Sequence, residues 1–137
     1  MFNYDSDTNA SSFFKDNLDI KSIIVSEGIT SIGEYAFLYC NNLQTATLPT
    51  TLISIKRNGF MPHIDGYIIN QNLYGLTALK IPDKVTELGE FAFAGTAIES
   101  VTVLSSVVTV GSEVFGERQN LETVLWTALF FVLLYQK

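Results

Sequence analysis

His63 and Asp65, in "PHIDG", are the residues whose types and spacing come nearest to an acid–base pair. General-base catalysis needs an imidazole within hydrogen-bond reach of the group it deprotonates, and the local sequence supplies no nucleophile for it. The pair therefore reads as two polar residues of an irregular insert. Cys40 is the only cysteine, which excludes an intramolecular disulfide and a CxxC metal knuckle. One histidine leaves too few ligands for a zinc site, so Cys40 reads as a buried thiol packing like a small hydrophobe. Asp5, Asp7, Glu27, Glu34, Glu90, Glu113 and Glu117 are scattered along the chain and form no DxDxDG calcium loop. Neither GxGxxG nor GxxxxGK[ST] occurs, so nothing cradles a phosphate. The expectation is a chain that is not an enzyme, with no catalytic residue, cofactor or metal.

Bulk composition points the same way. With 47% hydrophobic and 16% charged residues the chain can bury a core. A net charge of −6 steers it toward neither nucleic acid nor anionic lipid. The first seventeen residues have no basic start and no apolar h-region, and so do not read as a signal peptide. Asn9-Ala10-Ser11 fits a glycosylation sequon, a pattern common by chance. The apolar run Val124–Tyr135 is shorter than the about 20 residues a membrane-spanning helix needs. It reads as a final buried strand or helix, the start of a truncated anchor, or an end foreign to the rest of the chain.

The elements that position side chains repeat. "SIGEYAF" at Ser31–Phe37 returns as "ELGEFAF" at Glu87–Phe93. The apolar pattern LxxLxL is met at Ile20/Ile23/Val25, Leu43/Ala46/Leu48, Leu76/Leu79/Ile81, Ile98/Val101/Val103 and Leu121/Val124/Trp126. The steps between first positions are 23, 33, 22 and 23 residues, the second being a normal unit with about ten extra. After each apolar run comes a turn at Ser26, Pro49, Pro82 or Leu104, then a second short run, then a segment carrying Phe37, Phe60, Phe93 or Phe115. In "LQTATLP" the apolar and hydroxyl residues alternate with the period of a strand. The "YAF" piece is expected to form a brief helical or 3₁₀ turn. One unit buries too little apolar surface to fold alone, so units must stack, their strands pairing as a parallel sheet.

"IGEYAFLYCNNLQTATLPTTLISI" and "LGEFAFAGTAIESVTV" resemble the BspA-like leucine-rich repeat, across roughly residues 18 to 126. The resemblance implies an α/β repeat solenoid of about five units of about 23 residues. A parallel β-sheet would cover one face, with turns or short helices elsewhere. The chain then divides into an N-terminal flank (1–17), the solenoid (18–126) and an apolar tail (127–137). Within the solenoid, an insert at about 61–75 is read as a β-hairpin from the alternation in "DGYIINQNLYG".

The resemblance also implies a non-enzymatic binding module of the cell surface or the secreted fraction. Its role would be adhesion, through host or matrix proteins or glycans. The alternative is an intracellular scaffold that uses the same face for a protein partner. The residues expected to point outward from the sheet, and hence the candidate interaction face, are Ser22, Thr45, Thr47, Lys80, Ser100, Thr102 and Thr123, with Ile24, Ala78 and Leu125 among them. Nucleic acid is not expected as a partner, nor is a spanning membrane segment. Trp126, Phe130 and Phe131 either seal the end of the array or form a sticky patch that drives self-association.

Overall fold

The computed structural model describes residues 14–62 and 74–116, and the backbone of 123–126. Eight short strands follow one another: β1 (Ser22–Ile24), β2 (Ser31–Ile32), β3 (Thr45–Thr47), β4 (Ser54–Ile55), β5 (Glu87–Leu88), β6 (Ser100–Val103), β7 (Thr109–Val110) and β8 (Thr123–Trp126). All pairing is parallel, and it builds two columns. The second short run of each unit gives a continuous column, β2-β4-β5-β7. The LxxLxL runs give a front column in two parts, β1-β3 and β6-β8. Between the parts, the third unit is held by isolated bridges on either side, Thr45 to Ala78 and Tyr74 to Thr96, and no ladder pair follows Thr45–Ala78. The third unit puts Ala78 and Lys80, both poor strand formers, where β3 and β6 carry Thr or Ser.

Each turn between the columns closes by the same hydrogen bond from residue i+3 to residue i. Ile29, Leu52, Val85 and Val107 donate their N–H groups to the carbonyls of Ser26, Pro49, Pro82 and Leu104 at 3.1–3.3 Å. The apolar residues then fall into the interior. Ile32, Leu52, Ile55, Leu88, Val85 and Val107 are fully buried, as are Leu43, Leu76 and Ile98 from the front runs.

The third side of each layer differs from the expected helical turn. Among the described residues there is no helix, so of the expected turns or short helices the turns are what is found. The reason lies in the backbone. Tyr35, Asn58, Phe91 and Glu113, each two residues before a column phenylalanine, have φ between 51° and 56°. Asp16, Tyr39 and Gly95, two residues after such a phenylalanine, are also left-handed, at 60°, 61° and 71°. An α-helix cannot continue through left-handed residues. The N–H groups of Asp16, Tyr35, Tyr39, Asn58, Phe91 and Gly95 turn along the stack and reach the next layer, for example Tyr35 to the Arg57 carbonyl at 3.0 Å, Tyr39 to Met61 at 2.8 Å and Gly95 to Gly116 at 2.9 Å. The column phenylalanines do likewise, Phe37 to Gly59 at 2.8 Å and Phe93 to Val114 at 2.9 Å. A third ladder thus replaces the intrahelical bonds. Pro62 occupies the place of Tyr39 and Gly95, and its ring forbids positive φ. The regular turn cannot form there, at the start of the expected insert. The hairpin reading of that insert falls on residues outside those described.

Phenylalanine rings stack through the array as expected from their register. Centroid separations are 5.2 Å for Phe37–Phe60, 5.6 Å for Phe60–Phe93 and 5.7 Å for Phe93–Phe115, with interplanar angles of 8–13°. Phe14 extends the column by one ring, 5.3 Å from Phe37. Its signal was present in the sequence: Phe14 precedes Ile20 by six residues, as Phe37 precedes Leu43.

Candidate functional site

Parallel strands alternate their side chains, so a run such as Thr45-Ala46-Thr47 must send its middle residue inward and its outer two outward. Ser22 and Ile24 on β1, Thr45 and Thr47 on β3, and Ser100 and Thr102 on β6 are all exposed, Ile24 to 83%. Between them Ile23 and Ala46 are half-buried, and Val101 is buried. Register places Ser22 beside Thr45 and Ile24 beside Thr47. It also places Ser100 beside Thr123 and Thr102 beside Leu125. The seven candidate residues therefore form two groups. Ser22, Thr45 and Thr47 make one, and Ser100, Thr102 and Thr123 the other. Lys80 is exposed in the interrupted zone between them.

That interruption shapes the surface. A cleft of about 360 Å³ opens between Ala46, Thr47 and Leu48 on one side and Lys80, Pro82 and Lys84 on the other. On the preceding step the two turns are pinned together. Glu27 accepts hydrogen bonds from the Thr50 N–H at 2.9 Å and the Thr50 hydroxyl at 2.8 Å. These bonds hold the Glu27 carboxyl below its usual range, with a smaller contribution from the field of Lys84. In the next unit Thr50 takes the place of Glu27 and Asp83 that of Thr50, and no carboxylate bracket joins these two turns. The cleft lies where both the bracket and the second ladder pair are missing. Sequence reading found Thr47 and Lys80 there but not Thr50, Asp83 or Lys84. The 33-residue step was the available signal.

Elsewhere the polar groups on the second column are paired. Ser54 donates to the Ser31 hydroxyl at 3.1 Å, Lys56 meets Glu87 at 3.1 Å, and Arg57 meets Glu90 at 3.4 Å. Ser112 donates to Glu90 at 2.9 Å. These partly exposed contacts each join neighbouring layers, and their energetic weight is small. Cys40 is buried and donates to the Phe14 carbonyl, and burial pushes its thiol up to about 11. His63 and Asp65 lie outside the described residues. Among those described, no three acidic, histidine or cysteine side chains gather as a metal site, and no helix is long and apolar enough to cross a membrane.

The architecture is that of known repeat proteins. A leucine-rich repeat protein of Eubacterium ventriosum superposes with a TM-score of 0.62 at 24% identity, over 93% of this chain and 37% of its own. One from Bacteroides ovatus gives 0.45 at 27% identity, over 77% of this chain and 31% of its own. A leucine-rich cell surface protein of Faecalibacterium prausnitzii gives 0.37 at 21%, over 77% and 41%. The chain thus spans less than half the length of each. No curated protein matches it. Residues 7–122 match the BspA type leucine-rich repeat region in six copies, one more than the five apolar runs suggest. With that match over most of its length and the layered strands and turns to go with it, the chain belongs to the BspA-type leucine-rich repeat family.

Proposed function

We propose that the chain is a non-enzymatic recognition module that binds proteins or glycans through its front strand column, in the service of adhesion at a cell surface. Leucine-rich repeat arrays are binding modules as a class, while adhesion rests on family analogy. The observation that carries the reading is the front column itself. Its side chains alternate between an inward apolar row and an outward row that is mostly short hydroxyl side chains, with Ile24 and Lys80 among them. Such a surface is nearly rigid and loses little side-chain entropy on contact.

The test is a variant carrying Thr45→Glu, Thr47→Glu and Thr102→Glu, measured against immobilised matrix proteins and a glycan array. All three residues are exposed, so the melting temperature should hold while binding falls by about tenfold or more. Binding by the triple variant at parental strength would remove the front column from the mechanism. Protease shaving of intact cells tests the compartment. Released peptides support a surface protein, and peptides seen only after lysis turn the same face toward an intracellular protein partner.

A further inference from the structure

We infer that the cleft between β3 and the Pro82 turn is a subsite for a carboxylate-bearing sugar residue, such as a uronic or sialic acid unit. This deepens the recognition reading above and rests on it for biological context, although the site can be tested alone. The first observation is charge. The chain carries only eight basic residues against fourteen acidic ones. The ion pairs among the described residues occupy Lys56 and Arg57, on the second column. Lys80 and Lys84 stand at one cleft with no carboxylate in salt-bridge contact. Two ammonium groups at a concavity, neither within salt-bridge distance of a described carboxylate, favour a carboxylate ligand.

The second observation is the remainder of the lining. Thr47 offers a hydroxyl, and Asp83 offers an acceptor for ligand hydroxyls. Leu48 and Pro82 supply apolar surface for a ring face. A carboxylated polyol uses all of these groups. A run of acidic side chains from a partner protein would use the lysines but meet repulsion at Asp83. Size agrees, since about 360 Å³ lies at the lower end of small-ligand sites and suits one or two sugar rings rather than a protein face.

The third observation is backbone. The Thr47 carbonyl accepts from Val25 at 2.9 Å and so faces β1. By strand alternation the neighbouring carbonyl of Ala46 faces the cleft side, where no ladder pair continues past Thr45–Ala78. It adds a fixed acceptor for sugar hydroxyls.

The experiment is an amide-resolved NMR titration of the full chain with sodium glucuronate and, in parallel, N-acetylneuraminate, glucose and a Glu-Glu dipeptide. The expected result is saturable shifts confined to Thr47, Thr50, Asp83 and Lys84 with an acidic sugar, and none with glucose. The Lys80→Gln/Lys84→Gln variant should weaken that binding by about tenfold or more, as lost charge-assisted hydrogen bonds require. Raising the salt to half molar should weaken it further. Absence of saturable shifts with both acidic sugars overturns the proposal. So do equal shifts with glucose, equal or tighter binding of the dipeptide, or unchanged binding by the lysine variant. Loss of sugar binding in the lysine variant, with no effect of the threonine triple variant on larger partners, would uphold the cleft while rejecting the front column. The converse pattern would reject the cleft alone.

Discussion

Removing the Phe93 ring should be the most damaging single change on the phenylalanine column, and its cost can be worked from the structure. Phe93 is fully buried, with rings on both sides at 5.6 and 5.7 Å. A buried phenylalanine withdraws about 150–250 Å² from water, which at about 25 cal/mol per Å² is roughly 4–6 kcal/mol. Alanine keeps a methyl group's share of this and the cavity relaxes in part, so Phe93→Ala should cost about 3–5 kcal/mol. A domain of this size has roughly 5–15 kcal/mol in total, so the variant loses a large fraction of its stability. Phe14 provides the internal control. It stacks on Phe37 and is 41% exposed, so Phe14→Ala should cost about 1–2 kcal/mol. Urea denaturation followed by far-ultraviolet circular dichroism gives both values from midpoints and slopes. Equal destabilisation by the two variants would show that the column does not bear the load assigned to it.

Other perturbations probe the remaining contacts. A Cβ on Gly89 would stand 2.5 Å from the Arg57 nitrogen and 2.6 Å from the Lys56 carbonyl carbon, both backbone atoms of the layer below. Gly89→Ala should therefore destabilise by about 1–3 kcal/mol in a thermal melt, while exposed Thr86→Ala stays within about 0.5 kcal/mol. The Cys40 thiol, raised to about 11 by burial, stays protonated in the folded state when the unfolded thiol has already ionised. Its contribution to stability should be flat below about pH 8.5 and then fall by roughly 1 kcal/mol per pH unit up to about 11, and Cys40→Ala should abolish that slope in alkaline urea titrations. Glu27 has a lowered pKa, so its bracket to Thr50 is intact above the ordinary carboxylate range and is lost as pH falls through the folded value. The Thr50 amide resonance should titrate with a midpoint below 4.5, and Glu27→Gln should remove the transition.

The layered fold was readable because each stacking contact is made by the same residue type at the same offset. Phe37, Phe60, Phe93 and Phe115 recur in register, and hydrophobic alternation fixed which side of each front strand is buried. The turn on the third side was not readable as such. Left-handed backbone is ordinarily signalled by glycine or asparagine. Here Tyr35, Phe91 and Glu113 carry it, and Tyr35 and Phe91 are held so by hydrogen bonds to Arg57 and Ser112 of the next layer, which no single unit contains. "GEYAF" therefore suggested a helical turn, because local propensity was the only information within reach. The seven candidate face residues were identifiable from strand alternation. Their division into two groups was not, since it depends on how the third unit pairs with its neighbours on both sides.

That step shows where an array of this kind absorbs irregularity. The ring separation across it is 5.6 Å, against 5.2 Å for the regular step before it, and the second column passes through without a break. The front column gives way there to one bridge, and on the regular step that follows it is again reduced to an isolated bridge, Tyr74–Thr96. Energetics account for the difference. Opening the phenylalanine column or the fully buried Ile55–Leu88 contact would leave an apolar cavity, costing several kcal/mol. Opening the front ladder past Ala78 releases backbone groups that water can satisfy, a net loss nearer 1 kcal/mol per bond. Irregularity in the third unit thus disturbs the outer strand column on both of its sides while the core stays continuous. The same asymmetry places the cleft on the exposed face, beside Thr47 and Lys80, where a ligand can reach it without any change in the stack beneath.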